Sequence, residues 1–344
     1  MSDSTPRLRP PFRAEHVGSL KRPDTLLQKR KDFSTGLCTA EELRCAEDEA
    51  IRKVIQMQRQ RGMKTITDGE FRRLIFWEGL HEKLEGMSII PNALHLAMDY
   101  VPSVAYFKQR NLPMTAYVCE GKLLRKTPFY VNDFTSLKAL TLPEEHNRLK
   151  VTMCAPEWFH LRHGEYTYSK AVYQNDEEYF ADIVKAYREE IRDLYAAGCR
   201  LHLCRGNVIN GHPFSEGSFD PIAVKLFREI DADVYYLEYD SDRAGTLEPL
   251  RWLPRGKFVV LGLISSKTAE LESKDALIER VLEAARIISD GVEKRPLVEA
   301  LNQICISPQC GFASHSDGNS LTEDDVVRKL TLLVETSKAL WSDA

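Results

Sequence analysis

The stretch GCRLHLC (residues 198–204) leads the chain from a helix into an apolar strand. A helix pattern with a polar capping residue opens at Asn175, and Gly198 supplies its stop. The following residues alternate with the period of a strand, so that His202 and Cys204 face one side and the leucines face the other. A strand that begins directly after a helix is typical of α/β folds, in which helices alternate with parallel strands.

The same alternation recurs along the chain. Further helices are predicted over residues 39–62, 274–290 and 322–341, and a short one begins at 220. In the helix over residues 175–198 the apolar stripe predicted to face the core consists of Phe180, Ile183, Val184, Tyr187, Ile191 and Leu194. Seven apolar segments suit buried parallel strands, at residues 16–20, 64–70, 150–156, 200–204, 234–240, 257–265 and 304–311.

Polar residues gather where these strands end, as they do on the C-terminal face of a (β/α)8 barrel. We therefore predict an α/β fold of the (β/α)8 TIM-barrel type with one βα unit missing, since seven strands are identified rather than eight. Residues 1–344 are predicted to form a single barrel-type catalytic domain. Residues 86–148 break the rhythm and are predicted to be a non-barrel insertion in that domain.

Composition and charge exclude several classes of partner and location. The chain has 344 residues, a net charge of −4 and no basic patch, so nucleic acid is not an expected partner. No apolar run reaches the length of a membrane span, and the first residues lack the apolar core of a secretory signal. A cytoplasmic enzyme is therefore expected, and its eight cysteines are expected to be thiols or metal ligands rather than disulfides.

Four residues at strand ends are candidate metal ligands. His202 and Cys204 share one face of their strand, and Glu238 lies in the apolar strand VYYLEYD, where an unpaired carboxylate would be costly to bury. Cys310 lies in the turn SPQCGF at the end of the last strand. The alternatives are a salt bridge of Glu238 to an arginine and a packed thiol at Cys310.

This donor set points to Zn²⁺, which binds imidazole, thiolate and carboxylate. Two thiolates and a carboxylate overcompensate the charge of the ion, which makes such a site poor at generating hydroxide from water. It is suited instead to holding a substrate thiol in its deprotonated form, so that the sulfur attacks an electrophilic carbon.

Several motifs together resemble the cobalamin-independent methionine synthase family, in particular short single-barrel members similar to the C-terminal catalytic domain of the full-length enzyme. The motifs are HVGS, TDGEFRR, HLCRGN, YYLEYD, RAGTLEPLR, VVLGLISSK and SPQCGFASH. The resemblance implies a zinc-dependent 5-methyltetrahydropteroyltriglutamate–homocysteine S-methyltransferase that moves a methyl group from 5-methyltetrahydrofolate to homocysteine, forming methionine.

The resemblance also assigns residues. It implies that His202, Cys204, Glu238 and Cys310 bind the zinc, and it implies no catalytic residue beyond these ligands. Ser19 and Glu70 match the family's homocysteine-binding positions, and the alternative for Glu70 is a salt bridge to Arg72 or Arg73. A monomer with small-molecule substrates is expected.

The chain departs from the family pattern at one place. Members carry a strand with an acidic motif between the sequence A-G-C-R and the H-x-C pair, whereas here Arg200 is followed directly by Leu201. About one βα unit, on the order of thirty residues, is therefore predicted to be missing, together with an acid that helps to hold the substrate amino group. The alternatives that follow are alkyl transfer to another thiol of the coenzyme M kind, and a catalytically inactive truncated relative.

Overall fold

The computed structural model describes residues 12–96, 114–156, 158–161, 163–204, 218–230, 232–239, 244–309, 311–316 and 318–344, with residues 161 and 200–204 described for their backbone alone. The predicted ligand Cys310 lies outside these residues. No helix in the part that is described is long and apolar enough to cross a membrane.

Local capping chemistry places the helix ends. The Thr39 side chain accepts a hydrogen bond from the Glu42 N–H, and the Glu42 carboxylate accepts one from the Thr39 N–H at 2.7 Å. Asn175 and Thr322 cap two further helices in the predicted positions. The described helices are α1 (Asp24–Ser34), α2 (Ala40–Gln60), α3 (Val131–Ala139), α4 (Trp158–Leu161), α5 (Asp176–Ala196), α6 (Ala223–Arg228), α7 (Lys274–Ser289), α8 (Leu297–Asn302) and α9 (Glu323–Leu340).

Parallel strands alternate with these helices, which confirms the α/β class. β3 (Lys150–Cys154) pairs with β4 (Arg200–Cys204), and a second parallel sheet has the order β5 (Val234–Glu238), β6 (Phe258–Ile264), β7 (Ile304–Pro308). β3, β6 and β7 are almost completely buried, as strands covered on both faces should be.

The two remaining predicted strands, 16–20 and 64–70, do not form as strands. Each neighbourhood contributes an isolated parallel bridge instead, Ala14 with Ile306 and Ile66 with Leu149. In the second segment the buried Gln58 side chain takes up both backbone groups of Thr67, its amide donating to the C=O at 2.9 Å and its oxygen accepting from the N–H at 3.0 Å. These backbone groups are therefore unavailable to a strand ladder.

Hydrogen bonds nevertheless connect the two sheets through these segments. The Leu20 N–H donates to the Gly69 C=O at 3.0 Å, and the Lys150 N–H donates to the Ile66 C=O at 3.0 Å. The described contacts thus run from β5 through β7 and the two segments to β4. Among the described residues no strand pairing joins β4 to β5, so the closed barrel expected of a TIM-type fold is not confirmed.

The stretch predicted to be an insertion overlaps an antiparallel pair, β1 (Leu84–Ile90) with β2 (Ala116–Arg125), of which β1 begins two residues before it. It also contains helix α3, which the sequence pattern did not indicate. The boundaries of the insertion and the single-domain organisation remain predictions.

The core-facing side of α5 differs from the predicted stripe. Ile183, Tyr187 and Leu194 are buried, but Val184 and Ile191 are exposed. The helix turns Glu190 inward instead, because the Glu190 carboxylate accepts hydrogen bonds from the backbone N–H groups of residues 129 and 130 and from the Arg125 guanidinium.

Candidate active site

Glu238 ends β5 and is held by the residue that precedes Cys310. The Gln309 side-chain amide donates to Glu238 Oε2 at 3.2 Å, while the Gln309 backbone N–H donates to the Ile264 C=O at 2.7 Å. Gly262 lies opposite Glu238 in the sheet, and a Cβ there would lie 3.2 Å from the Gln309 Cα. The absence of a side chain at Gly262 therefore lets the end of β7 approach Glu238.

The two ligand candidates on β4 are described by their backbone register. His202 lies opposite Thr152 and Cys204 lies opposite Cys154 in the parallel β3–β4 pair. The side chains of His202 and Cys204 lie outside the described atoms, as does all of Cys310. Their assignment as ligands remains a prediction.

Ser19 lies against the segment that follows Cys310. Its C=O accepts from the Phe312 N–H at 3.1 Å, and its hydroxyl accepts from the Ala313 N–H at 3.4 Å. A Cβ at position 311 would lie 1.7 Å from Ser19 Oγ, so only glycine fits at position 311 in this arrangement. This contact sets the spacing between the segment at Ser19 and the segment at residues 311–313.

Glu70 has a strained backbone and a buried carboxylate. Its φ of 61° lies in the left-handed region, which is uncommon for a residue with a side chain and costs on the order of 1–3 kcal/mol. The Asp68 carboxylate stabilises this turn by accepting from the Glu70 N–H at 2.9 Å. The side chain is 4% exposed, and its Oε1 accepts from the Thr152 hydroxyl, while Oε2 has no hydrogen-bond partner among the described residues.

Two arginines surround this turn without forming an ion pair with Glu70 within the described part of the chain. Arg22 donates to the Glu70 C=O at 3.0 Å and to the Arg73 C=O at 2.9 Å, which ties the turn down through its backbone. Arg72 pairs with the acids of α2, through Glu47 at 3.1 Å and Asp48. The predicted alternative, a salt bridge from Glu70 to Arg72 or Arg73, does not form.

The surroundings of the Glu70 carboxylate have opposing effects on its pKa. Burial raises the pKa of Glu70, and the charges of Arg73 and Arg22 together with the Thr152 hydrogen bond oppose that rise. A ligand ammonium against Oε2 would supply the missing hydrogen bond and would favour the ionised form. Oε2 is therefore the atom of this buried carboxylate to which a ligand could donate a hydrogen bond.

Sequence reasoning missed two residues of this site. Thr152 is a hydroxyl residue inside a fully buried strand, and Gln309 is a buried amide beside a ligand candidate. The available signal was the same in both cases, a polar side chain interrupting an apolar run, which predicts that the residue has a polar partner.

The donor set fits zinc by its chemistry. Within the described residues no group of three or more histidine, cysteine or acidic side chains forms a metal cluster, and the side chains of three of the four predicted ligands lie outside the described atoms. The fourth predicted ligand is Glu238, whose carboxylate lies at the end of β5 beside the buried amide of Gln309. Gln309 Oε1 is itself buried and has no hydrogen-bond partner among the described residues, so a polar group at this strand end could donate a hydrogen bond to it.

Comparison with known proteins gives consistent relationships, although no family model matches the chain. The uncharacterized protein YxjH of Bacillus subtilis is 31% identical over 389 residues, covering 96% of this chain and 95% of that protein. A methionine synthase of Saccharolobus solfataricus is 25% identical over 54% of this chain and 49% of its own length. A Listeria monocytogenes structure assigned as a vitamin-B12 independent methionine synthase matches with a TM-score of 0.69 at 25% identity, over 97% of this chain and 99% of that one.

The fold and these relationships place the chain among α/β proteins whose named relatives are methionine synthases. The chain belongs to the cobalamin-independent methionine synthase family. The alignment with YxjH spans 389 positions, more than the 344 residues of this chain, so YxjH contains residues that have no counterpart here.

Proposed function

We propose that this chain transfers a methyl group from 5-methyltetrahydrofolate, as the pteroyltriglutamate, to the sulfur of homocysteine. The thiol gives up its proton, a bond forms between sulfur and the methyl carbon, and the bond between that carbon and the folate nitrogen breaks. The nitrogen keeps the bonding electron pair and is protonated, which yields tetrahydrofolate and methionine. The observation that carries the proposal is the buried Glu70 carboxylate, with one oxygen held by Thr152 and the other without a described partner.

Glu70 binds the substrate ammonium in this scheme. A buried carboxylate that lacks a second hydrogen bond is costly, and an ammonium donor compensates that cost. Ser19 connects this part of the candidate site to the loop after β7, because its C=O and hydroxyl accept hydrogen bonds from the backbone N–H groups of residues 312 and 313. The two residues thus hold the amino-acid part of homocysteine while its thiol extends toward the strand ends.

The metal-binding role falls to His202, Cys204, Glu238 and Cys310, which would hold Zn²⁺. When bound, zinc lowers the pKa of a coordinated thiol, so that the sulfur is nucleophilic at neutral pH. The contribution of Gln309 is to orient the Glu238 carboxylate by donating to its Oε2.

The choice of acceptor follows from charge. A thiol of the coenzyme M kind carries a sulfonate, which would be repelled by the Glu70 carboxylate, whereas homocysteine offers an ammonium. We therefore favour an amino-acid thiol, and the enzyme is expected to act as a cytoplasmic monomer on small molecules.

We infer that the architecture is a (β/α)8 barrel lacking one βα unit. Seven segments follow one another from β5 to β4, five of them strands and two joined by isolated bridges and hydrogen bonds, and YxjH contains residues that have no counterpart here. The direct join of Arg200 to Leu201 is the site we assign to the missing unit. Glu70 would then be the remaining carboxylate for the substrate amino group, since the missing strand carries the second one in the family pattern.

The function is tested by two measurements on the purified full chain. Methionine formation from homocysteine and the methyl-folate should be detected, and metal analysis should find about one equivalent of zinc. Cys310→Ser should lose most of that zinc, whereas Cys305→Ser, which changes a buried cysteine inside β7, should keep it. Full zinc content without methionine formation would point to the inactive relative, and zinc that is absent from the unaltered chain would refute the ligand assignment.

A further inference from the structure

Thr152 forms hydrogen bonds to both Glu70 and Arg73. The residue lies in the middle of β3 and is 4% exposed. Its hydroxyl donates to Glu70 Oε1 and accepts from Arg73 Nη2 at 3.3 Å, and its backbone C=O accepts from Arg73 Nη1 at 3.2 Å. One side chain therefore joins a strand, an arginine and the carboxylate of the candidate site.

The direction of the Thr152 hydroxyl proton follows from these contacts. A hydroxyl has one proton to donate and lone pairs to accept with. The guanidinium of Arg73 can only donate, so it occupies a lone pair of the Thr152 oxygen. The proton is then directed at Glu70 Oε1, which holds that oxygen and leaves Oε2 as the carboxylate atom that remains for a ligand.

Thr152 is also held in one rotamer. A Cβ at Gly18 would lie 2.3 Å from the Thr152 methyl carbon, so this methyl occupies space that any side chain at position 18 would fill. Threonine is branched at Cβ and rotates about χ1 with difficulty. A methyl packed against Gly18 therefore fixes where the hydroxyl points.

We propose that Thr152 is a positioning residue that aims Glu70 Oε2 at the substrate ammonium and so makes the enzyme select ligands that carry an amino group. The inference rests on the proposed function, because it assigns the group that Glu70 recognises. Arg73 supports the same arrangement by occupying the acceptor side of the hydroxyl. Thr152 does not itself contact substrate in this scheme.

The test compares two ligands on the purified full chain. L-methionine carries the ammonium, and 3-(methylthio)propanoic acid is the same molecule without the amino group. Calorimetric titration gives the dissociation constant of each, and their ratio measures recognition of the amino group independently of turnover. In the unaltered protein L-methionine should bind at least about tenfold more tightly than the analogue.

Three variants separate positioning from general damage. Thr152→Val keeps the branched shape and the methyl but removes the hydroxyl, and it should weaken L-methionine binding about tenfold while leaving the analogue unchanged. Thr152→Ser restores the hydroxyl and should recover most of the ratio. Thr336→Val removes another buried hydroxyl, one that bonds to the Leu332 C=O at 2.8 Å within α9, and should leave the ratio as in the unaltered protein.

The outcomes distinguish this inference from the proposed function. If the unaltered chain favours L-methionine and Thr152→Val keeps that preference, the inference is wrong while the function stands. Equal weakening of both ligands in a folded Thr152→Val protein would also overturn it, since that result indicates a general packing role. If the unaltered chain makes no methionine and shows no preference between the ligands, the proposed function fails and this inference fails with it.

Discussion

Ser19 and Gly311 approach each other so closely that a Cβ at position 311 would lie 1.7 Å from the Ser19 hydroxyl oxygen and 2.9 Å from its Cβ. The contact joins the first segment of the chain to the loop after β7, which are almost three hundred residues apart in sequence. Both segments belong to the candidate active site, so the glycine acts as a spacer that sets the width of the site.

Gly311→Ala should therefore disturb both stability and binding. The added methyl forces the two segments apart, and overpacking of this kind costs about 1–3 kcal/mol of unfolding free energy. Urea unfolding measures the loss of stability, and titration with L-methionine should show weaker binding.

A compensating change tests the cause. Ser19→Gly removes the atoms that the new methyl would meet, so the double variant Ser19→Gly/Gly311→Ala should lose less stability than the two single variants added together. Strict additivity would show that the two residues do not limit each other.

Glu70→Gln separates stability from function at one residue. Burial raises the pKa of Glu70, so the folded chain holds the carboxyl proton more tightly than the unfolded chain does. Stability from this group is present at low pH and is lost as pH rises through the raised pKa. At neutral pH the neutral glutamine should therefore be at least as stable as glutamate, while L-methionine binding falls at least about tenfold because the ammonium loses its charged partner.

The comparison needs a control at an acid that already has a charged partner. Asp48 on α2 is paired with Arg72, so Asp48→Asn should leave L-methionine binding unchanged. A Glu70→Gln protein that binds L-methionine as well as the unaltered chain would rule out the assigned role.

His16 should make the chain sensitive to mild acid. Burial, and after it the positive charge of Lys150, lower the pKa of His16 from 6.5 to about 4. The unfolded chain therefore binds the proton first as pH falls, so stability is complete above about pH 6.5 and declines toward pH 4, by about 3 kcal/mol in total. His16 donates through Nε2 to Gln58 Oε1 at 3.0 Å, and its other ring nitrogen has no described hydrogen-bond partner, so a second proton would be buried without an acceptor.

The check is the pH dependence of urea unfolding. Between about pH 7 and about pH 5 the unaltered chain should lose about 2 kcal/mol more than His16→Gln does, since glutamine keeps a donor for Gln58 and does not titrate in this range. Parallel stability curves for the two proteins would show that His16 is not the group responsible.

The sequence predicted those features that depend on neighbours in the chain. The helix predicted over residues 39–62 does begin there, with a capping box of Thr39 and Glu42 whose contacts lie within one helical turn. The contacts that define the candidate site lie between residues far apart in sequence, such as Thr152 with Glu70 and Gln309 with Glu238. Such contacts depend on the register of the sheet and on where glycine allows a close approach, which alternation of apolar residues does not encode.

A side-chain contact also explains why one of the predicted strands does not form. The apolar pattern of residues 64–70 is that of a strand, but the Gln58 side chain takes the backbone hydrogen bonds of Thr67. Whether a segment pairs as a strand therefore depended on one buried amide in α2. The segment still lies beside β3, because Ile66 forms a parallel bridge with Leu149, the residue that precedes this strand.

At high protein concentration the exposed face of α5 should promote weak self-association of the chain, whose active form is expected to be a monomer. Val184, Ile191 and Tyr195 are 37%, 41% and 82% exposed, and their spacing of seven and four residues places them on one side of the helix. If a βα unit is missing after Arg200, this face lacks the neighbour that would cover it, and exposed apolar surface favours association. Replacing all three by lysine should lower the associated fraction seen by light scattering at high protein concentration. The unfolding free energy should change by no more than about 0.5 kcal/mol per substitution, because exposed positions tolerate such changes.

The matched control is Ile183→Lys on the buried face of the same helix. This variant should lose about 3 kcal/mol of unfolding free energy, because it buries an unpaired charge. A triple variant that unfolds as readily as Ile183→Lys would mean that the face is covered in the folded protein, and the inference of a missing neighbour would then be wrong.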